Sequence, residues 1–313
     1  MGRRSRTASS SLQAPPENPP RVLAIYGPTA SGKTAVAGIL RGRLGAEVVS
    51  ADSAALYAGL PILTAAPEYP ARLVGVVPLS EDVSVGSFQR LAHAAIDEIL
   101  DAGRIAIVVG GTGLYLRAAL SSLELPPPPA PGERERWEAA YDELGPQGAH
   151  ALLAERDASA AARVHANDRR RVVRALELAA AGSSLAPPAD ALWGSDARRP
   201  TAFFGIDGAS ETRIRARIAS QVAAGVVEEA RRAWSLPLSE TAKAVLGLEE
   251  FATMPVEEAS EAVLAATRRL ARYQRKWLRR LPSAITLDGE RKPEDLADEI
   301  LALAGTGQRL PRD

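Results

Sequence analysis

The chain contains no cysteine, which removes disulfides, thiolate nucleophiles and cysteine-based zinc sites together. Lysine is scarce: of 38 basic residues only Lys33, Lys243, Lys276 and Lys292 are lysine. Arginine so dominates the positive surface that arginine clusters must be judged by position. An excess of either charge is also lacking, with 38 basic residues facing 38 acidic ones, so no net field draws the chain to a polyanion. No stretch approaches the roughly 18 apolar residues of a membrane span. Met1 to Pro20, rich in serine, proline and arginine, has no apolar run of signal-peptide length. These features predict disordered tails over 1–20 and 305–313, no membrane contact and a cytoplasmic location. With 313 residues, 46% hydrophobic and 24% charged, the chain is expected to form one or two globular domains.

What is present centres on GPTASGKT, residues Gly27, Pro28, Thr29, Ala30, Ser31, Gly32, Lys33 and Thr34. It fits G-x-x-x-x-G-K-[ST], a loop whose backbone N–H groups cradle phosphates at a helix N-terminus. The run Val22 to Tyr26 enters it as a strand, and Val36, Ile39, Leu40 and Leu44 recur behind it at helical spacing. Lys33 is placed to reach a terminal phosphate and the Thr34 hydroxyl to face Mg²⁺. The loop serves kinases, ATPases and some transferases alike, so it names an anion rather than a reaction.

Further strands are expected at Glu47 to Ser50, Ile105 to Val109, Thr201 to Ile206 and Ser283 to Leu287. Helices alternate with them, among them a stripe from Phe88 to Ala102 and the segment Leu114 to Leu120. That order predicts an α/β fold: a P-loop NTPase-like parallel sheet core flanked by helices, with right-handed crossovers. The core is expected to span 21–120 and 201–304. Between its halves, 121–200 is expected to be a helical insertion, entered by the proline-rich Leu125 to Pro131 and closed by Gly182 to Pro188. Glu211 to Ala233, Val256 to Leu281 and Pro293 to Leu303 read as later helices. In such a sheet ligands collect at the carboxyl ends of the strands. Gly27–Thr34, Asp52–Ser53 and Gly110–Gly113 all fall there, so three distant loops converge.

Asp52 ends its strand as a general base, as a carboxylate holding Mg²⁺ indirectly, or as a helix N-cap. The turn Gly110 to Gly113 is a substrate contact or a run of left-handed turn glycines. Arg213 and Arg217, one helical turn apart, could clamp a diphosphate or pair with surface acids. Arg170, Arg171 and Arg174 share a helix face by spacing, either solvated or set against phosphates. The run Arg268, Arg269, Arg272, Arg275, Lys276, Arg279, Arg280 is denser, with Tyr273 and Trp277 interleaved. It reads as an anionic-polymer footprint or as a highly charged amphipathic helix.

GPTASGKT, Val49-Ser50-Ala51-Asp52-Ser53 with Leu56-Tyr57-Ala58-Gly59, GGTGLY from Gly110, His165-Ala166-Asn167-Asp168 with Arg171 and Arg174 to Glu177, and Arg272 to Arg279 occur in this order. Together they resemble the bacterial tRNA dimethylallyltransferases (tRNA isopentenyltransferases) over about residues 21 to 305. The resemblance implies that dimethylallyl diphosphate sits in the loop on Gly27 to Thr34 with Arg213 and Arg217. It implies transfer of its prenyl group to the exocyclic amino nitrogen of the adenosine 3′ of the anticodon. By the same resemblance Asp52, Thr112 and Lys33 are catalytic and Mg²⁺ is held at Thr34. Asp52, Ser53, Ala54, Ala55, the run Arg170, Arg171, Val172, Val173, Arg174, and Arg272 and Lys276 would meet the tRNA anticodon stem–loop, with the protein a monomer. The chain departs from the family's D-I-G-T-A-K-P at Pro61 to Pro67, shortens the connection from there to Leu73, and has Tyr273 where a basic residue is usual. Other readings of the same residues are an isopentenyltransferase acting on free adenine nucleotides, a P-loop small-molecule kinase, and a degenerate RNA-binding paralogue.

Overall fold

A computed structural model of the chain describes residues 21–126, 128–185, 197–281 and 284–305. The expected tail over 1–20, all but Gly305 of the expected tail over 305–313, Pro127 and Ala186 to Pro188 of the proline-rich stretches, and Ser283 of the expected last strand lie outside them. The elements run β1 Val22–Tyr26, α1 Lys33–Leu44, β2 Glu47–Ser50, α2 Pro61–Thr64, β3 Ala71–Arg72, α3 Val85–Asp101, β4 Ala106–Gly110 and α4 Gly113–Leu120. Then come α5 Glu133–Arg156, α6 Ala158–Ala161, α7 Arg169–Ala180, β5 Thr201–Asp207, α8 Glu211–Ala223, α9 Val226–Trp234 and α10 Glu240–Lys243. The chain closes with α11 Leu248–Thr253, α12 Val256–Leu278, β6 Ile285–Asp288 and α13 Pro293–Leu303.

The strands form one parallel six-stranded sheet in the order β3-β2-β4-β1-β5-β6. All five residues of β1 and of β4 are buried, as required of strands covered on both faces. On one face Leu23, Ile25 and Phe204 pack against Val36 and Leu40 of α1 and against Leu296 and Ile300 of α13. Chain direction therefore brings the ends of β1, β2, β4 and β5 out at one edge, where the loops carrying the expected site residues begin.

Two compact units divide the chain: Met1–Ser122 with Ser195–Asp313, and Leu123–Gly194. The second is helical and has a core of its own, built on Trp137, Tyr141, Leu153, Val172, Val173 and Leu176. Its long helix α5 is kinked at Gly145, whose φ of 69° breaks the helical run just before Pro146.

One local expectation changes, and one segment that the sequence left open is defined. Glu211 to Ala233 is two helices, because Gly225 adopts φ +93° and reverses the backbone between α8 and α9. The shortened connection after Pro61 is ordered, by two devices invisible to periodicity. Its residues Ala71 and Arg72 add the two-residue edge strand β3. The Tyr69 hydroxyl donates to the Thr34 carbonyl at 2.8 Å, and its ring covers Gly38, where a Cβ would come within 2.8 Å of it.

Candidate active site

The loop after β1 turns tightly because Ala30 and Gly32 both take positive φ, 61° and 91°. Gly27 permits the closest approach: a Cβ there would stand 2.5 Å from the Ile206 carbonyl and 2.6 Å from the Ser31 hydroxyl. The loop folds on itself through the Ser31 amide to the Pro28 carbonyl at 3.2 Å and through Lys33 Nζ to the same carbonyl at 3.2 Å. Among the described residues the amides of Ala30, Gly32, Lys33 and Thr34 meet no acceptor, and the buried Ser31 hydroxyl has no partner. Four N–H groups at the start of α1 make an anion cradle, strengthened by the helix dipole.

The charges around it are desolvated. Burial pushes the Lys33 ammonium down from 10.5 to about 8, opposed by the nearby Asp52 carboxylate and aided by Arg217. Burial also lowers the Arg217 guanidinium, again with Asp52 opposing. Lys33, Arg217 and Asp52 thus sense one another across the mouth of the loop. Arg217 Nη1 donates to Thr29 Oγ1 at 3.0 Å and Nη2 to the Thr64 carbonyl at 3.3 Å, which ties the cradle to α2. Arg213 behaves differently: its Nη1 donates to the Gly208 and Gly289 carbonyls at 3.0 and 2.6 Å, stapling the turns after β5 and β6. Of the two arginines, Arg217 is the one that touches the loop.

Asp52 follows β2 in a turn with no helix behind it, so the N-cap reading is set aside. Its Oδ1 accepts from the Ala54 amide at 3.0 Å, while Oδ2 has no partner among the described residues. Beside it the Ser53 amide donates to Thr112 Oγ1 at 3.3 Å, joining the end of β2 to the second glycine turn. None of Gly110, Gly111 and Gly113 has a positive φ, so left-handed turns do not account for them. They are sites of close approach instead. A Cβ would stand 2.2 Å from the Ala51 carbonyl at Gly110, 2.6 Å from Gln274 Nε2 at Gly111 and 2.3 Å from the Trp277 ring at Gly113.

Several residues grouped with the RNA-facing set are placed otherwise. Val172 and Val173 are core residues of the helical unit, 0% and 3% exposed, because α7 turns that stripe inward. Arg174 is half-buried and bridges Glu177 at 2.8 Å; Glu177 also takes Arg134 at 3.0 Å. Arg170 and Arg171 remain exposed, Arg171 leaning on Asp168 at 3.5 Å. Ala55 is buried and its carbonyl accepts from Gly75, leaving Asp52, Ser53 and Ala54 as the accessible part of that stretch.

On α12 the charged run splits by face. Arg269, Arg272, Lys276 and Arg279 are exposed and meet no carboxylate among the described residues. Arg268 pairs with Glu211 at 3.3 Å and Arg275 with Asp207 at 2.8 Å. Tyr273 is exposed, whereas Trp277 is buried on Gly113, so the indole is packing and not an exposed stacking surface. Gln274, which the Arg272 to Arg279 motif contains without giving it a role, lies on the buried face and touches both glycine turns. A second signal is position: it continues the inward stripe of Thr267 and Ala271.

For a metal, the Thr34 hydroxyl stands exposed on the first turn of α1, and among the described residues no group of three His, Asp or Glu could hold an ion. A single hydroxyl beside an anion cradle fits Mg²⁺, which keeps its waters and binds mainly through substrate phosphates.

The family described as IPP transferase matches residues 55–281. A tRNA dimethylallyltransferase of Anaeromyxobacter dehalogenans is 38% identical over 90% of this chain and 99% of its own. One from Kineococcus radiotolerans is 40% identical over 90% of this chain and 96% of its own. Among solved structures, the full-length tRNA isopentenylpyrophosphate transferase of Bacillus halodurans superposes with a TM-score of 0.64 at 29% identity, covering 91% of this chain and 97% of that one. No helix among the described residues is long and apolar enough to cross a membrane.

Proposed function

The chain belongs to the IPP transferase family, and from that premise we propose that it transfers a dimethylallyl group from dimethylallyl diphosphate to tRNA, releasing pyrophosphate. The acceptor in this reading is the exocyclic amino nitrogen of the adenosine 3′ of the anticodon. The observation that carries it is the pairing of loop amides that meet no acceptor among the described residues, flanked by Lys33 and Arg217, with a carboxylate at the next strand end whose Oδ2 likewise meets no partner there.

The bonds balance simply. The amino nitrogen attacks C1 of the allylic donor, the C1–O bond breaks, and the electron pair leaves with pyrophosphate. The nitrogen loses one proton, for which Asp52 Oδ2 is the acceptor. Loop N–H groups, Lys33 and Arg217 face the oxygens on which charge develops, which is where preorganised donors lower a barrier most. Thr34 would hold Mg²⁺, which adds positive charge to the leaving diphosphate. Thr112, hydrogen-bonded to Ser53, borders the carboxylate side of the crevice. An adenine amine stacked in RNA cannot reach such a crevice, so the base must be turned out at a cost of about a few kcal/mol. The exposed cations of α12 would hold RNA phosphates. Arg170 and Arg171 offer a second set on the helical unit. The reaction belongs in the cytoplasm, where unmodified tRNA is found.

The test is to incubate the protein with radiolabelled dimethylallyl diphosphate and, separately, unmodified tRNA, AMP or no acceptor. Label in tRNA alone is expected. Label in AMP would shift the acceptor to free nucleotides, and label in neither would overturn the transferase reading.

A further inference from the structure

The two glycine turns leave adjacent strands, yet the bond between them at the crevice, Gly27 amide to Gly110 carbonyl, has lengthened to 3.4 Å. Beyond that point β1 and β4 part, and backbone pairing no longer sets how far apart the diphosphate cradle and Thr112 lie. One buried side chain spans the opening. Gln274 Oε1 accepts from the Thr29 amide at 2.8 Å, and its Nε2 donates to the Gly111 carbonyl at 2.9 Å. The residue is 5% exposed, and its own carbonyl accepts from the Tyr26 hydroxyl at 3.1 Å, so helix, strand end and both turns meet on it.

The chemistry of the contact is selective. One neighbour is a donor and the other an acceptor, and a carboxamide offers both functions on one planar group at every pH. A carboxylate would serve Thr29 and oppose the Gly111 carbonyl; a hydrocarbon of the same length would leave two buried backbone groups unpaired. Gly111 and Gly113 bring the turn hard against α12 at Gln274 and Trp277, which fixes Thr112 between two points of contact. The Thr29 amide is consumed in the process, so the cradle proper begins at Ala30.

We propose that Gln274 is a positioning residue for the transfer reaction, setting the separation between the diphosphate cradle and the Thr112 side of the crevice. This rests on the transferase reading above. The residue touches neither reacting centre; it acts through the two turns. Exposed neighbours Arg272 and Lys276 lie on the same helix, so one element carries donor-site spacing on its inner face and a cationic ridge on its outer one.

The experiment compares wild type, Gln274→Glu, Gln274→Met, Thr112→Ala and the double variant Gln274→Glu/Thr112→Ala. It uses dimethylallyl diphosphate and an unmodified tRNA transcript, with thermal melting as the check on folding. Gln274→Glu, when ionised, keeps the acceptor for Thr29 and loses the donor to Gly111; protonated it can make both bonds, so its kcat is followed from about pH 6 to 9. It should hold the donor KM within about twofold while kcat falls about 10- to 100-fold, the scale of a small misplacement of reacting groups. Gln274→Met loses both bonds and should raise the donor KM as well. The double variant should have a kcat no lower than the slower single one, because both changes disturb one element. Two results would overturn the proposal: folded Gln274→Met, which lacks the donor at every pH, turning over at the wild-type rate, or the two kcat losses multiplying in the double variant. Failure of the wild type itself to label tRNA would instead sink the underlying reading.

Discussion

Arg217 Nη1 lies 3.0 Å from Thr29 Oγ1, joining a residue of α8 to one of the phosphate loop 188 positions earlier. The same guanidinium reaches Thr64, so one planar fork braces the cradle and α2 together. Arg217→Ala should lower kcat/KM for dimethylallyl diphosphate by about 100-fold, the usual loss when a preorganised donor to a developing anion is removed. Arg217→Lys should recover little of it, since an ammonium presents its donors from one nitrogen and lacks the spread of the guanidinium fork. Steady-state kinetics at fixed tRNA measures both.

Lys33 predicts a pH limit on donor binding. Its folded pKa is lowered to about 8 from 10.5, so the free protein loses this charge as pH rises through about 8, and the donor Kd should rise above that pH. Stability runs the other way. Between about 8 and 10.5 the unfolded chain keeps a proton that the folded one has released, so the donor-free protein should become more stable across that window as far as this group decides. Titration calorimetry and denaturant melts at about pH 7, 8 and 9 check the two signs. Lys33→Arg should flatten the binding profile.

Asp52→Asn removes the proton acceptor while retaining an oxygen for the Ala54 amide. Transfer should fall at least about 100-fold, within the range that general bases contribute, with donor Kd changed little. A variant that turns over normally would remove Asp52 as the base.

The cations of α12 should act through phosphates and not through base identity. Arg272→Ala with Lys276→Ala should weaken tRNA binding and reduce the slope of log Kd against log salt by roughly 1.5, two contacts at about 0.7 to 0.9 each. Filter binding at several salt concentrations reads it. Arg268→Ala, whose head already faces Glu211, should move the slope less.

Glu177, 4% exposed, receives Arg134 and Arg174 inside the helical unit. Glu177→Ala removes the buried carboxylate on which both arginines converge and should cost roughly 1.5 kcal/mol of that unit's stability. Urea unfolding followed by tryptophan fluorescence, to which Trp137 in that core contributes, would show it.

The parallel sheet and the three loops at its edge were legible because each rests on local signals: apolar runs, glycines, and a loop motif of fixed spacing. The expected insertion over 121–200 rested on a change of periodicity and on proline; the compact helical unit runs Leu123–Gly194. What escaped depends on contacts between distant residues. Gln274 lies inside the Arg272 to Arg279 motif, but its role exists only once α12 lies across two turns 163 and 245 residues away. Gly111 and Gly113 looked like turn glycines because the side chains pressing on them are far along the chain. Val172 and Val173 sat inside a basic run, and only the burial of α7 against α5 shows that their side chains point inward. Arg213 and Arg217 have the same spacing signal, and the difference between them is set by which carbonyls lie nearby.

The most direct measurement is a crystal of this protein soaked in dimethylallyl diphosphate, with a parallel crystal soaked in ATP. The expected result is a diphosphate on the amides of Ala30, Gly32, Lys33 and Thr34, contacted by Lys33 and Arg217, with C1 of the prenyl group turned toward Asp52. A cradle that stays empty with the prenyl donor and fills with ATP would contradict it.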